Sequence, residues 1–517
     1  MPRITLSGRR AVQASADLVV LPVAAGGEGP VAPPSTRAVL EHAGIDLAAL
    51  ARIGHLTGAL DETLLVPAFD RLATPALLLV GVGPDAGRGL ETLRRAASVA
   101  VAAAGRAATV ATTLPQCAAE ASPGSPAGPT EALAAVAEGF GLAAYRFDRY
   151  KSSSESALEE VVLLTGEAPS EAGDGLQAAL RRAAVAVDAT RYTRDLVNEP
   201  AGKLSPAELA AEAARLATAG GLEVRTIEGE ALARGGFGAV AAVGAGSAIP
   251  PRMVVLGHRP AGARLHVGLV GKGVTFDSGG LDLKRGKSMD GMKDDMAGAA
   301  TVLGVLRALP QLGLPVAVTG VLPLVENMPG GGAMRPGDVI RARNGTSIEI
   351  TDTDAEGRLA LADGLALVAE SGPDAILDVA TLTGSAVVGL GPAFTAVLSN
   401  TPPLAAAVLE AAAVTGEPAV ELPLLDDYRR FLDSEVADLR NASEEPGDAI
   451  QAALFLREFV AGLPWAHLDI AGPATATEAR YYQPKGATGC TVRTLLQLLE
   501  GMAQAASGPK DGQREHS

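Results

Sequence analysis

Between residues 267 and 300 the chain reads VGLVGKGVTFDSGGLDLKRGKSMDGMKDDMAGAA. An apolar run leads in, an alanine-rich run leads out, and the part between is charged and rich in glycine. A strand at 265–270 and a helix at 298–309 are expected on either side. Loops beyond strand ends are where α/β sheets place their ligands, so this order of segments narrows the fold as well as the chemistry. Lysine is the unusual component. Only eight of the 43 basic residues are lysine, yet Lys272, Lys284, Lys287 and Lys293 all fall here. A guanidinium stays charged, whereas an ammonium can lose its proton when buried or beside a metal. Asp277, Asp282, Asp290, Asp294 and Asp295 supply carboxylates, and the glycines let backbone come close to a ligand. The segment reads as half of a metal site whose other half lies elsewhere.

With 517 residues the chain exceeds what one compact core accommodates, and two domains are expected. A net charge of −16 argues against a general nucleic-acid surface, which needs clustered basic residues. Cys117 and Cys490 are far apart in sequence, form no ligand pair, and suit a reducing compartment. The opening residues, MPRITLSGRRAVQASADLVVLPV, lack the pattern of a signal peptide. The alanine-rich segment 96–112 is broken by Arg106 and is too short to span a bilayer. A cytoplasmic protein without membrane association is expected.

Alternation of short apolar runs with helical patterns predicts two α/β domains with mostly parallel sheets flanked by helices. In residues 1–175, expected to be a smaller N-terminal domain with an assembly or regulatory role, strands are read at 16–23, 75–82 and 108–114, and a helix at 90–104. A loop is read at 123–129 and a polar boundary at 167–175. Residues 176–505 form the expected larger, catalytic domain. It opens with a linking helix at 176–196 and continues with a helix at 207–219 and strands at 222–226 and 252–256. Strands at 316–322, 347–351 and 375–380 and a helix at 359–370 follow, and 506–517 reads as a frayed tail.

The second half of the site is TDTDAEGRL at 351–359. Asp352, Asp354 and Glu356 alternate, so an extended backbone would turn all three to one side, where carboxylates converge on a cation. Thr353 and Glu356 also have the spacing of a capping box before an apolar helix. Two acid-rich loops, each after an expected strand, favour the metal reading. No His-Glu-x-x-His occurs and none of the six histidines lies in either loop, so His467 is expected to pack rather than ligate. Carboxylates with an amine suit a hydrolytic two-metal centre binding Zn2+, Mn2+ or similar ions.

VGKGVTFDSGG, the MKxDM-type segment and TDAEGR together resemble the leucyl aminopeptidase family, the cytosolic dinuclear metallo-aminopeptidases. YRFDRYK at 145–151, RDLVNEPA at 194–201, DVATLTG at 378–384 and WAHLDIAG at 465–472 extend the likeness over roughly 145–500. The resemblance implies a metal set of Lys272, Asp277, Asp295, Asp354 and Glu356, with two divalent ions, Mn2+ or Zn2+. It makes Lys284 the catalytic lysine and Arg358 the holder of a bicarbonate. Met292, Thr381, Leu382 and Gly384 match positions around the substrate. It further implies a homohexamer acting on peptides with a free N-terminus, by attack of a metal-bridging hydroxide and with bicarbonate as proton shuttle.

The chain departs from the family pattern in places. Asp352 stands where asparagine is usual, and its added charge is expected to favour polar or basic N-terminal residues. RGKS follows Lys284 in place of a proline-containing turn, Asp294 stands where tyrosine is frequent, and Ala297 where glycine or cysteine is. Two other readings compete: an inactive or DNA-binding regulatory member, and a dinuclear hydrolase of another amide or ester. The intact ligand set speaks against the first, and so does the acidic charge.

Overall fold

The computed structural model describes residues 2–68, 70–84, 89–119, 128–152, 158–166 and 173–507. The expected loop at 123–129 falls outside these residues over 123–127, the polar boundary over 167–172, and the expected tail over 508–517.

The chain divides into two compact units, Met1–Arg191 with Thr477–Lys485, and Tyr192–Ala476 with Gly486–Ser517. The first is built on a seven-stranded sheet in the order Arg3–Ser7, Glu160–Leu164, Thr109–Thr112, Leu18–Gly26, Ala76–Pro84, Thr63–Pro67, with Gly29–Val31 paired to Leu18–Gly26. The inner pairings are parallel and Thr63–Pro67 is antiparallel. Leu18–Gly26 is buried on both faces over its first seven residues, as parallel strands covered by helices must be. Leu90–Ala103 and Pro129–Ala143 pack on one face. The segment Thr477–Lys485 belongs here because Tyr482 packs on Leu142 and Val187 and donates its hydroxyl to Glu91.

The second unit carries a nine-stranded sheet. Trp465–Asp469, Ala375–Ala380, Leu265–Gly271 and Val316–Asn327 run parallel at its centre. Thr395–Ser399 on one side and Arg252–His258 on the other are antiparallel. Gly273–Asp277 continues beyond Leu265–Gly271 and pairs in parallel with the far end of Val316–Asn327, so Asp277 lies opposite Asn327. Gly271 lies opposite Val379, and Ala380 opposite Asp469. The carboxyl ends of these strands therefore meet along one edge.

Two helices cover this edge. Ala297–Leu312 lies so close to the sheet that a Cβ on Gly298 would stand 2.0 Å from the Val379 carbonyl oxygen. Alanine and glycine at its start are a packing requirement. Glu356–Ala369 is buried from Glu356 to Val368, although it carries Glu356, Arg358 and Asp363. Buried charges must be paired or hydrogen-bonded. Asp363 meets this by accepting the backbone N–H groups of Ala239, Val240 and Arg343 at 3.0, 2.9 and 2.8 Å. Burial still holds its carboxyl up at about 6, against those three hydrogen bonds.

The strand expected at 347–351 is shorter, Ser347–Glu349, and does not join the main sheet. It lies in a three-stranded sheet between Val339–Arg341 and Leu439–Arg440. The second acidic loop is thus delivered by a small side sheet, a placement that periodicity along the chain does not encode.

Replacing Asp363 by alanine removes one acceptor from three backbone N–H groups. Each buried donor left unpaired costs roughly 1–3 kcal/mol, so a loss of at least about 3 kcal/mol is expected in urea unfolding. A change under about 1 kcal/mol would show that water replaces the carboxylate.

Candidate metal centre

Lys272 follows the last residue of Leu265–Gly271 and points into the edge where the strands end. Its ammonium lies 2.7 Å from Asp295 Oδ1 and 2.9 Å from Glu356 Oε1, and donates to the Thr381 carbonyl at 2.9 Å. Burial works against this charge, but Asp295, Glu356 and Asp277 outweigh it and hold the ammonium well above its usual range. The side chain passes directly over Gly357, where a Cβ would meet its Cε and Nζ at 2.6 Å. The glycine in AEGR is there to let the lysine through.

Lys284 makes a second bridge, 2.7 Å from both Asp277 Oδ2 and Asp354 Oδ1. Its charge too is opposed by burial and secured by the two carboxylates. Carboxylate oxygens of Asp277, Asp354 and Glu356 lie within 4.8 Å of one another. Burial is the main force raising the carboxyls of Asp295, Glu356 and Asp354, and Asp354 is pushed up to about 7. Four carboxylates face two ammoniums. Asp295 Oδ2 and Glu356 Oε2 are buried without a hydrogen-bond partner. Orphaned anionic oxygens beside a neutralisable amine are a donor set that fits hard or borderline divalent cations.

Polar residues lace the two loops together. Asn327 Nδ2 donates to Asp277 Oδ1 at 2.8 Å and to the Thr353 carbonyl at 3.0 Å. Thr353 Oγ1 donates to the Gly279 carbonyl at 2.7 Å and accepts the Asp282 N–H at 2.8 Å. The capping box is therefore not formed: Thr353 is spent on the facing loop, and the helix starts after Ala355 with no side-chain cap. Nor is 351–359 extended throughout. The chain turns at Asp354 and becomes helical at Glu356, so only Asp354 and Glu356 join the cluster. Asp352 instead accepts the Asp354 N–H at 2.8 Å, and with Asp282 and Thr351 it lines a cavity of about 750 Å3 faced by Arg430, Phe431 and Arg440.

The other expected residues are placed as follows. Met292 is half-buried in the single turn that precedes Asp295. Thr381 donates its hydroxyl to Asp295 Oδ1 at 2.7 Å, besides holding Lys272. Asp469 fixes the turn that follows, accepting the N–H of Leu382 and of Thr383 at 3.1 Å each. Gly384 is exposed and opens the helix Gly384–Leu390. Arg358 is buried, with Nη1 on the Asn441 carbonyl at 2.9 Å and Nη2 on Asp448 Oδ1 at 2.7 Å. His467 is no ligand of the cluster: its Nδ1 bonds Asp378 Oδ1 at 2.6 Å beneath the site. Lys293 donates to the Asn198 carbonyl, away from the bridging lysines. Sequence reading assigned no role to Asn327, Asp469 or Asp448. The first two close apolar strands at the ligand edge, and that position was the available signal.

A carboxylate and lysine cluster at the strand ends of an α/β sheet marks the class as metal-dependent hydrolase. Comparison with known proteins gives the particular family. Models of the cytosol aminopeptidase family match twice, the catalytic domain over residues 191–496 and the N-terminal domain over 20–154. A probable cytosol aminopeptidase of Streptomyces coelicolor is 41% identical, over 98% of this chain and 100% of the relative. One of Geobacter sp. is 44% identical, over 88% and 91%. Among solved structures, the bottromycin maturation enzyme BotP in complex with Mn has a TM-score of 0.84 at 42% identity, covering 94% of this chain and 100% of that one. A mutant of tomato leucine aminopeptidase has a TM-score of 0.86 at 30% identity, covering 97% of each. The chain belongs to the cytosol aminopeptidase family and is a metal-dependent aminopeptidase.

Asp354 can accept a cation only as the carboxylate. With its carboxyl at about 7, protons compete below that value, and affinity should rise as pH climbs through 7; any ligation by Lys272, whose ammonium is held above its usual range, extends the rise to higher pH. Calorimetric titration with Mn2+ at several pH values reads this, and an affinity that stays flat from acid to neutral would contradict it.

Proposed function

We propose that Lys272, Asp277, Asp295, Asp354 and Glu356 hold two divalent cations, Mn2+ or Zn2+, and that the chain releases N-terminal residues from peptides with a free amino terminus. One observation supports this most: four carboxylates converge with two lysines at the carboxyl edge of the sheet, and two of their oxygens are left unpartnered. The manganese in the BotP structure makes Mn2+ a reasonable first choice. Bound cations would supply Lewis acidity and acidify water.

The chain's own groups do the rest. Lys284 donates a hydrogen bond to the scissile carbonyl oxygen and stabilises the negative charge that develops there. It serves only while protonated, and Asp277 and Asp354 favour that form. Lys272 must give up its proton to ligate, so loading the site releases protons. Asp295 receives the substrate's free amine, and that requirement makes the enzyme an exopeptidase. Met292, Thr381, Leu382 and Gly384 surround the first residue and backbone of the substrate. Asp352, on its cavity wall, adds negative charge near that residue. A bicarbonate at Arg358 would have to share a guanidinium that already holds Asp448. A cytoplasmic homohexamer completes the reading, and no helix among the described residues is long and apolar enough to cross a membrane.

Chelation should abolish hydrolysis of leucine amide, and Mn2+ or Zn2+ should restore it. Activity indifferent to the chelator would sink the metal reading. Lys284→Ala should lower kcat by about 10²–10³, the loss seen when one oxyanion donor is removed, with metal content unchanged. Asp352→Asn should move selectivity from arginine and lysine amides toward leucine amide. A parent chain that already turns over leucine amide as well as the basic ones would reject that role.

A further inference from the structure

The cavity beside the cluster holds two arginines without an acidic partner. Their neighbours in the chain are matched: Arg429 pairs with Asp433 and Glu458, and Arg457 with Asp426. Arg430 and Arg440 form no ion pair among the described residues. Arg430 lies over the Phe431 ring, 5.2 Å from its centre, and Arg440 donates Nε to the Asp433 carbonyl at 2.7 Å. That bond anchors the Arg440 guanidinium and leaves its two Nη groups, the fork that fits a carboxylate. Both arginines line the cavity of about 750 Å3 whose wall also carries Asp282 and Asp352. Its size falls within the roughly 300–1,000 Å3 of small-molecule sites.

The carboxylates on that wall do not neutralise the arginines. Asp282 Oδ2 accepts the Thr353 N–H and Asp352 Oδ1 the Asp354 N–H, each at 2.8 Å, so loop backbone engages both. Glu444 and Glu445 are exposed. The cavity adjoins one end of the cluster. Asp282 stands two residues before Lys284, Asp352 stands two before Asp354, and Lys284 with Asp354 forms one bridge. Thr381 marks the other end, on Lys272 and Asp295. With the substrate amine at Asp295 and the scissile carbonyl at Lys284, whatever follows that carbonyl runs toward the cavity.

We propose that Arg430 and Arg440 hold a carboxylate on the leaving part of the substrate, so that the enzyme selects short peptides with a free carboxyl terminus or an acidic second residue. This rests on the aminopeptidase reading. The two arginines come from Asp426–Leu432 and Leu439–Arg440, which supply no cluster residue. They can therefore hold an anion that the carboxylates of the cluster would repel.

The test uses the manganese-loaded full chain and two pairs of substrates. Leucyl-alanine against leucyl-alanine amide reads the terminal carboxylate, and leucyl-glutamate α-amide against leucyl-glutamine α-amide reads an acidic side chain. In at least one pair the anionic member should show a kcat/KM higher by about fivefold or more, and high salt should narrow the gap. The pair that responds identifies the source of the carboxylate. The double substitution Arg430→Gln, Arg440→Gln should erase the preference, and a general loss of activity cancels in the ratio. Equal rates within both pairs overturn the proposal. So does a preference that survives the double substitution, or a preference for the neutral members, which would give the cavity to its acids. A measurement without turnover separates this from the aminopeptidase reading. N-acetylglutamate has both kinds of carboxylate but no free amine, and in calorimetry it should bind the parent about fivefold or more tightly than the double variant. Equal binding to both, or none to the parent, overturns the proposal. A parent inert on every free-amine substrate sinks the aminopeptidase reading instead, while N-acetylglutamate still reports on the arginines.

Discussion

Four carboxylates and two ammonium groups occupy one poorly hydrated volume, and their mutual compensation is the constraint from which the rest of the catalytic unit follows. Lys272 bridges Asp295 and Glu356, and Lys284 bridges Asp277 and Asp354. An isolated charge in that volume would be prohibitive, and removing one partner of such a pair leaves the other uncompensated. The elements that supply these side chains must therefore be held in register. The parallel strands do so by ending together, and Asn327 and Thr353 do so by tying the two loops.

The helix Glu356–Ala369 shows the same constraint from another direction. A helix buried on every side is normally apolar, yet this one carries three charges. Each has a separate solution: Glu356 faces Lys272, Arg358 faces Asn441 and Asp448, and Asp363 caps three backbone donors. The charges pin the helix, and the pinned helix aims Glu356. Glycine at 357 follows from this arrangement, because the lysine stem occupies the space a Cβ would need.

Much of this was legible along the chain. Apolar runs and helical periodicity located the central strands at 265–270, 316–322 and 375–380 and the covering helices, though not Trp465–Asp469, because burial imposes those periods directly on neighbouring residues. The lysine-rich, aspartate-rich loop stood out, since lysine is scarce elsewhere and a buried amine has few structural uses. The acids at 352, 354 and 356 were visible as a group. Their division was not: an extended backbone would have joined Asp352 to the others, and the turn into a helix at Glu356 separates them.

What the sequence determined by itself was the α/β class, the two loops that bring ligands, and the chemistry those ligands suit. Local composition and period encode all three, so no neighbour in space is needed to read them. Tertiary structure alone decided which charges pair, that Asn327 and Thr353 join the loops, that the second loop arrives from a small side sheet, and that Arg358 is already matched by Asp448. Apart from Lys284 and Asp277, which are seven residues apart, those partners lie tens of residues apart in sequence. Their pairing is set by the cost of a buried unpaired charge, which acts only once the strands have brought the loops together.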